Sequence, residues 1–146
     1  MIAQTIQLAL APVFVLVAIG NILNMLAGRL ARIVDRVRMI QAIHASTQGS
    51  EHDDVVREMR SLDRRIEMIN KAMLLLVISA LFVGLTVGSI FLTASWAVGY
   101  AWLDGLFFFI ALSLLMAALL LFLAETRLAA ATLRVPAHLL ELERRL

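Results

Sequence analysis

Asn21 and Asn24 stand in a stretch without formal charge that runs from Leu8 to Gly28. Their i, i+3 spacing sets both amides on one face of a helix, with Val17 and Gly28. An amide in an apolar setting needs a hydrogen-bond partner, so this face calls either for a neighbouring helix or for an aqueous path along the axis of an oligomer. A second candidate constellation is ionic. Glu125 and Arg127 close the third of three uncharged runs, and Arg29 and Arg32 follow the first. A pair between Glu125 and Arg29 or Arg32 would tie two helices at the membrane boundary.

Other chemistry-bearing residues point to no reaction. Glu51, His52, Asp53 and Asp54 are metal-ligand types, but their run has no ligand spacing and reads as a polar turn, so no metal is expected. His44 and His138 have no evident partner and are assigned to surface or seam positions. Asp104, the lone acid between the second and third runs, reads as a helix N-cap rather than a cation site. There is no phosphate-cradling glycine loop, nucleophile elbow or HExxH, and no set of groups converges on a catalytic centre. Neither enzymatic activity nor a cofactor is expected.

The elements that position these residues follow from composition. Of 146 residues, 62% are hydrophobic, with a mean hydropathy of +0.90; soluble domains usually hold about 45–50% apolar residues. Such a chain needs lipid as its solvent. Leu8–Gly28, Ala72–Ser95 and Gly105–Ala124 are each near the ~20 residues that a helix needs to cross a hydrocarbon core. The expectation is an all-α integral membrane protein with three transmembrane helices. Residues 1–28 form the first, 72–95 the second and 105–124 the third, with 96–104 as an outer turn. No Cys is present, so disulfides are excluded.

Charge sets the orientation. The 13 Lys and Arg fall only between Arg29 and Lys71 or from Arg127 onward, while MIAQTIQ and WAVGYAWLD hold none. The positive-inside rule then places the N-terminus outside and the C-terminus in the cytoplasm. A cleaved signal peptide would carry its basic residues before the apolar run, and here they follow it. Trp96, Tyr100 and Trp102 suit the headgroup level of the outer turn. The basic residues are interleaved with acids and flank spans, which speaks against nucleic-acid binding.

Residues 29–71 carry two helical stripes. Leu30, Ile33, Val37, Ile40 and His44 form one, and Val55, Met59, Leu62, Ile66 and Ile69 the other. The turn-forming segment Ser46–Asp53 separates them, and Ser50 with Asp53 resembles a capping box. This predicts a cytoplasmic antiparallel helical hairpin with a coiled-coil-like seam, each arm continuous with a span and projecting roughly 25 Å. Two such arms bury only a narrow apolar strip, so neighbouring copies could supply further burial. Residues 125–146 are read as a cytoplasmic amphipathic tail, restarted at Pro136.

Inside the spans, Pro12 is expected to kink the first helix. Gly84 and Gly88 form a GxxxG pair with Ala80 in register, which suits close helix packing within the chain or between copies.

The stretch APVFVLVAIGNILNMLAGRLARIVDR, followed by a charged helical segment and two further spans, resembles a bacterial membrane-protein family of unknown function. The likeness runs from about Ile6 to Glu125, and its most specific part is Pro12, Asn24 and GRLARIVDR. The resemblance implies an inner-membrane protein with three spans and draws attention to Asn24, Arg29, Arg32, Asp35 and Arg36. Two functional expectations result. One is a homo-oligomer conducting ions or small solutes along the Asn21 and Asn24 face. The other is a membrane-anchored scaffold whose hairpin binds a cytoplasmic protein. Lipid is the common partner of both.

Overall fold

The computed structural model describes residues 2–44, 47–96 and 101–132. Three helices make up the described chain: α1 (Ile2–His44), α2 (Ser50–Trp96) and α3 (Ala101–Thr132). At 1.5 Å per residue their 43, 47 and 32 residues extend about 65, 70 and 48 Å. Each therefore exceeds the ~30 Å of a hydrocarbon core. All three contain a segment long and apolar enough to cross a membrane.

Each hairpin arm runs into a span within one helix, the continuity expected from the sequence. α1 carries the first span into the first arm without a break, and α2 carries the second arm into the second span. Pro12 lies inside α1 without ending it and is itself buried.

The packing pattern explains this continuity. On α1 the buried apolar residues Ile19, Leu26, Ile33 and Ile40 recur every seven residues. On α2 Leu62, Ile69, Leu76 and Val83 do the same. A seven-residue repeat keeps one face of a helix toward its partner over many turns. All eight belong to one core cluster, joined by partly buried Leu30, Val37, Val55, Met59 and Ile66. Both hairpin stripes read from the sequence thus meet in the seam.

The source of stability differs along that seam. In the charged segment, burying Ile33, Ile40, Leu62 or Ile69 removes each from water, worth about 1.5–3 kcal/mol apiece. Between the spans lipid is as apolar as the neighbour, so packing and polar contacts must hold the helices instead.

α3 packs chiefly on α2 through a second seam of small residues. Ala72, Ser79 and Thr86 on α2, again seven apart, are buried, as are Ala111 and Ala118 on α3. Ser79 Oγ donates to the Ala111 carbonyl at 2.7 Å, a bond that alanine at the crossing makes room for. The hydroxyls of Thr86, Ser89 and Thr93 instead donate to carbonyls of α2 itself.

The reversal between α1 and α2 is made at Gly49, with φ at 67°, a conformation that glycine adopts without strain. Thr47 Oγ1 donates to the His44 carbonyl at the end of α1, and Asp53 N donates to Gly49 O. Ser50 is already the first residue of α2, one place inside the capping position expected of it. α3 starts at Ala101, so Asp104 lies within its first turn rather than at an N-cap before Gly105. Tyr100 in the outer turn, and Pro136 and His138 in the tail, lie outside the described residues.

Candidate functional site

Ala111 and Ala118 continue at the same spacing to Glu125, so the small-residue stripe of α3 ends on a carboxylate. Glu125 is completely buried, with 0% of its side chain exposed. Arg29 Nη2 of α1 donates to its Oε2 at 2.6 Å. Arg65 of α2 reaches Oε1 through Nε at 3.0 Å and Nη2 at 3.0 Å. One carboxylate thus joins all three helices.

The two guanidiniums are held but not sealed off, with 23% of the Arg29 and 17% of the Arg65 side chain exposed. Arg29 also lies over the Phe122 ring, its guanidinium carbon 5.1 Å from the centroid, a cation–π contact. Both oxygens of Glu125 are satisfied, as a buried charge requires.

Of the two arginines expected opposite Glu125, the structure places Arg29 there and leaves Arg32 exposed one turn further on. Arg65 was not anticipated. Its signal lay in the repeat, since it precedes Ala72, Ser79 and Thr86 by whole sevens just as Glu125 follows Ala111 and Ala118.

Asp104 sits at the other end of the same α3 stripe. Its Oδ1 is buried and has no hydrogen-bond partner among the described residues.

The remaining sequence-selected residues are spread over the molecule. Asp35 is exposed, and Arg36 Nε donates to Glu58 Oε1 across the hairpin arms at 2.8 Å. That hydrogen bond, and then the carboxylate's charge, raise the Arg36 pKa above its ordinary value. Gly84 and Gly88 are exposed, and a Cβ built on either meets nothing within 4 Å. The close contact within the chain is carried by Ser79, Ala111 and Ala118 instead.

Asn21 and Asn24 point away from the seam. Both are exposed, as are Gly20, Ala27, Gly28 and Ala31 on the same side of α1, and neither amide finds a hydrogen-bond partner among the described residues. At the hairpin tip, the His44 and His52 rings lie 4.6 Å apart, and Thr47 Oγ1 is 3.3 Å from His52 Nδ1. His44 therefore has a partner that the sequence did not reveal. No group of three or more potential metal ligands occurs among the described residues. A groove of about 400 Å³ runs between the arms, lined by Val37, Gln41, His44, Met59, Arg60 and Asp63 among others.

Three membrane-length helices joined by an ionic cluster at one end of their apolar segments make this an all-helical, multi-pass membrane protein. Comparison with curated proteins and with solved structures finds no match. The chain belongs to the family described as protein of unknown function (DUF2721), whose model matches residues 9–135. That stretch takes in the whole Glu125 cluster and the Asn21 and Asn24 face.

Proposed function

We propose that this protein acts as a homo-oligomer in the bacterial inner membrane, with the outer faces of α1 from neighbouring copies meeting around a polar path for ions or small solutes. The observation that carries this reading is the placement of Asn21 and Asn24. Both amides lie within the apolar run of α1, turn outward and have no hydrogen-bond partner among the described residues. Hydrocarbon cannot satisfy them, whereas a second copy or confined water can. Gly20 and Gly28 flank Asn24 at four-residue intervals and allow close approach of another helix. The distribution of Lys and Arg supports a cytoplasmic hairpin and an outer N-terminus.

Depth limits how copies can meet. Arg36 with Glu58, His44 with His52, and Arg29 with Arg65 mark matching heights on α1 and α2. On that register Asn24 lies level with the region of Lys71, whereas Gly84 and Gly88 lie level with Gln7–Ala11. The α1 and α2 small-residue faces thus occupy opposite halves of the bilayer. In copies of the same orientation each face meets its own kind, not the other.

The subunit number in nanodiscs, read by native mass spectrometry, tests the assembly; liposome flux with Asn21→Leu and Asn24→Leu tests conduction. A monomer would remove the reading. The hairpin groove, together with exposed Met39 and Ile43, favours a second reading in which the hairpin docks a cytoplasmic protein.

A further inference from the structure

The Glu125 cluster is unbalanced. Two guanidiniums share one carboxylate, which leaves a fixed surplus of positive charge where the apolar runs end. In a partly dehydrated setting such a surplus is costly unless an anion stands close to it. Each guanidinium has five N–H donors. Arg29 applies only Nη2 to Glu125, and Arg65 applies Nε and Nη2. Donors remain on both, and both side chains are partly exposed.

Among the described residues the surroundings do not cancel the charge. Arg32 and Arg127 are exposed within about one turn of the cluster. Of the neighbouring acids, Glu67 is engaged by Lys71 at 2.7 Å, while Asp35 and Asp63 are exposed and face water. The height is that of lipid headgroups, because the uncharged run of α1 ends at Gly28 and that of α3 at Ala124.

We propose that Arg29 and Arg65, bridged by Glu125, bind the phosphate of an anionic phospholipid. Planar guanidiniums fixed in place give the forked donors that a phosphate accepts, and a basic site between helices at the membrane boundary suits an anionic headgroup. Phe122 packs against the Arg29 guanidinium, and Glu125 prevents the two cations from spreading apart.

The test uses the full chain in a zwitterionic detergent, titrated with phosphatidylglycerol, phosphatidylcholine or inorganic phosphate, with thermal unfolding and native mass spectrometry as readouts. Phosphatidylglycerol should raise the melting temperature and remain bound, with phosphatidylcholine and inorganic phosphate ineffective. Arg29→Gln or Arg65→Lys should weaken the preference for the anionic lipid on the order of tenfold, while Arg38→Gln in the hairpin leaves it unchanged. Glu125→Gln provides an independent arm. It should lower stability in detergent alone and regain more from phosphatidylglycerol than the wild type does, because it leaves two cations uncompensated. A solely structural ion pair predicts the same loss with every lipid, and that result would overturn the proposal. Protection by inorganic phosphate alone would reassign the site to a soluble phosphate and overturn the lipid source. Unchanged lipid preference in both arginine variants would reject the site.

Discussion

Glu125 concentrates the connectivity of three helices into one side chain. Removing it leaves two guanidiniums without their shared acceptor, so Glu125→Ala should cost about 3–5 kcal/mol in denaturant unfolding in zwitterionic micelles. Arg32→Gln, one turn away and without an ion pair among the described residues, should stay within about 0.5 kcal/mol of wild type in the same assay. The contrast separates a tie from a merely basic boundary. The Glu125–Arg29 half was legible because an acid and a base at equivalent ends of apolar runs have few other partners. Arg65 was hidden among Arg64, Arg60 and Arg57, where charge alone does not mark the inward one. Only the repeat through Ala72, Ser79 and Thr86 singles it out.

The helices differ in how openly their sequences declare their contacts. In the hairpin arms, apolar stripes stand against charged faces, and Leu62, Ile69, Ile33 and Ile40 could be assigned inward on spacing alone. α3 offers no such contrast, since Leu and Phe surround it and lipid accepts them all. Its contact face is marked by smallness, and the more familiar Gly84 and Gly88 drew attention to an outward face. Ala118→Leu should therefore force α3 from α2 and cost about 1–3 kcal/mol, measurable as a lower unfolding midpoint. Gly84→Ala should not lower the protomer's unfolding midpoint, because the added methyl meets nothing and alanine favours the helix. On α2 the Glu67 carboxyl is held below its usual range by the hydrogen bond and then the charge of Lys71. A lowered folded-state pKa means stability present above the unfolded pKa and lost as pH falls through the folded one. Wild type and Glu67→Gln should thus converge in acid and separate slightly at neutral pH in a pH series of unfolding midpoints, the pair being exposed and screened.

At the scale of the molecule, the protomer is a long two-helix rod with a shorter third helix fastened to it, and among the described residues its amide-bearing face has no partner. Asn24→Leu with Gly28→Leu should reduce the oligomeric fraction in nanodiscs without lowering protomer stability, since neither residue is in the core. Loss of both together would place these residues in folding instead. Membrane class, helix number and the paired arms followed from composition and periodicity. Which face meets another copy did not, because a side chain's depth and direction emerge only once the register of the helices is fixed.

The unbroken course of α1 through the boundary has a mechanical consequence. His44 at the tip lies about 22 Å from Arg29 along the helix, and Pro12 about 25 Å on the other side. The Glu125 cluster is then a fulcrum near the middle of a stiff lever. A sideways push on the hairpin tip becomes an opposite displacement of similar size at the far end of the span, with no hinge between them to absorb it.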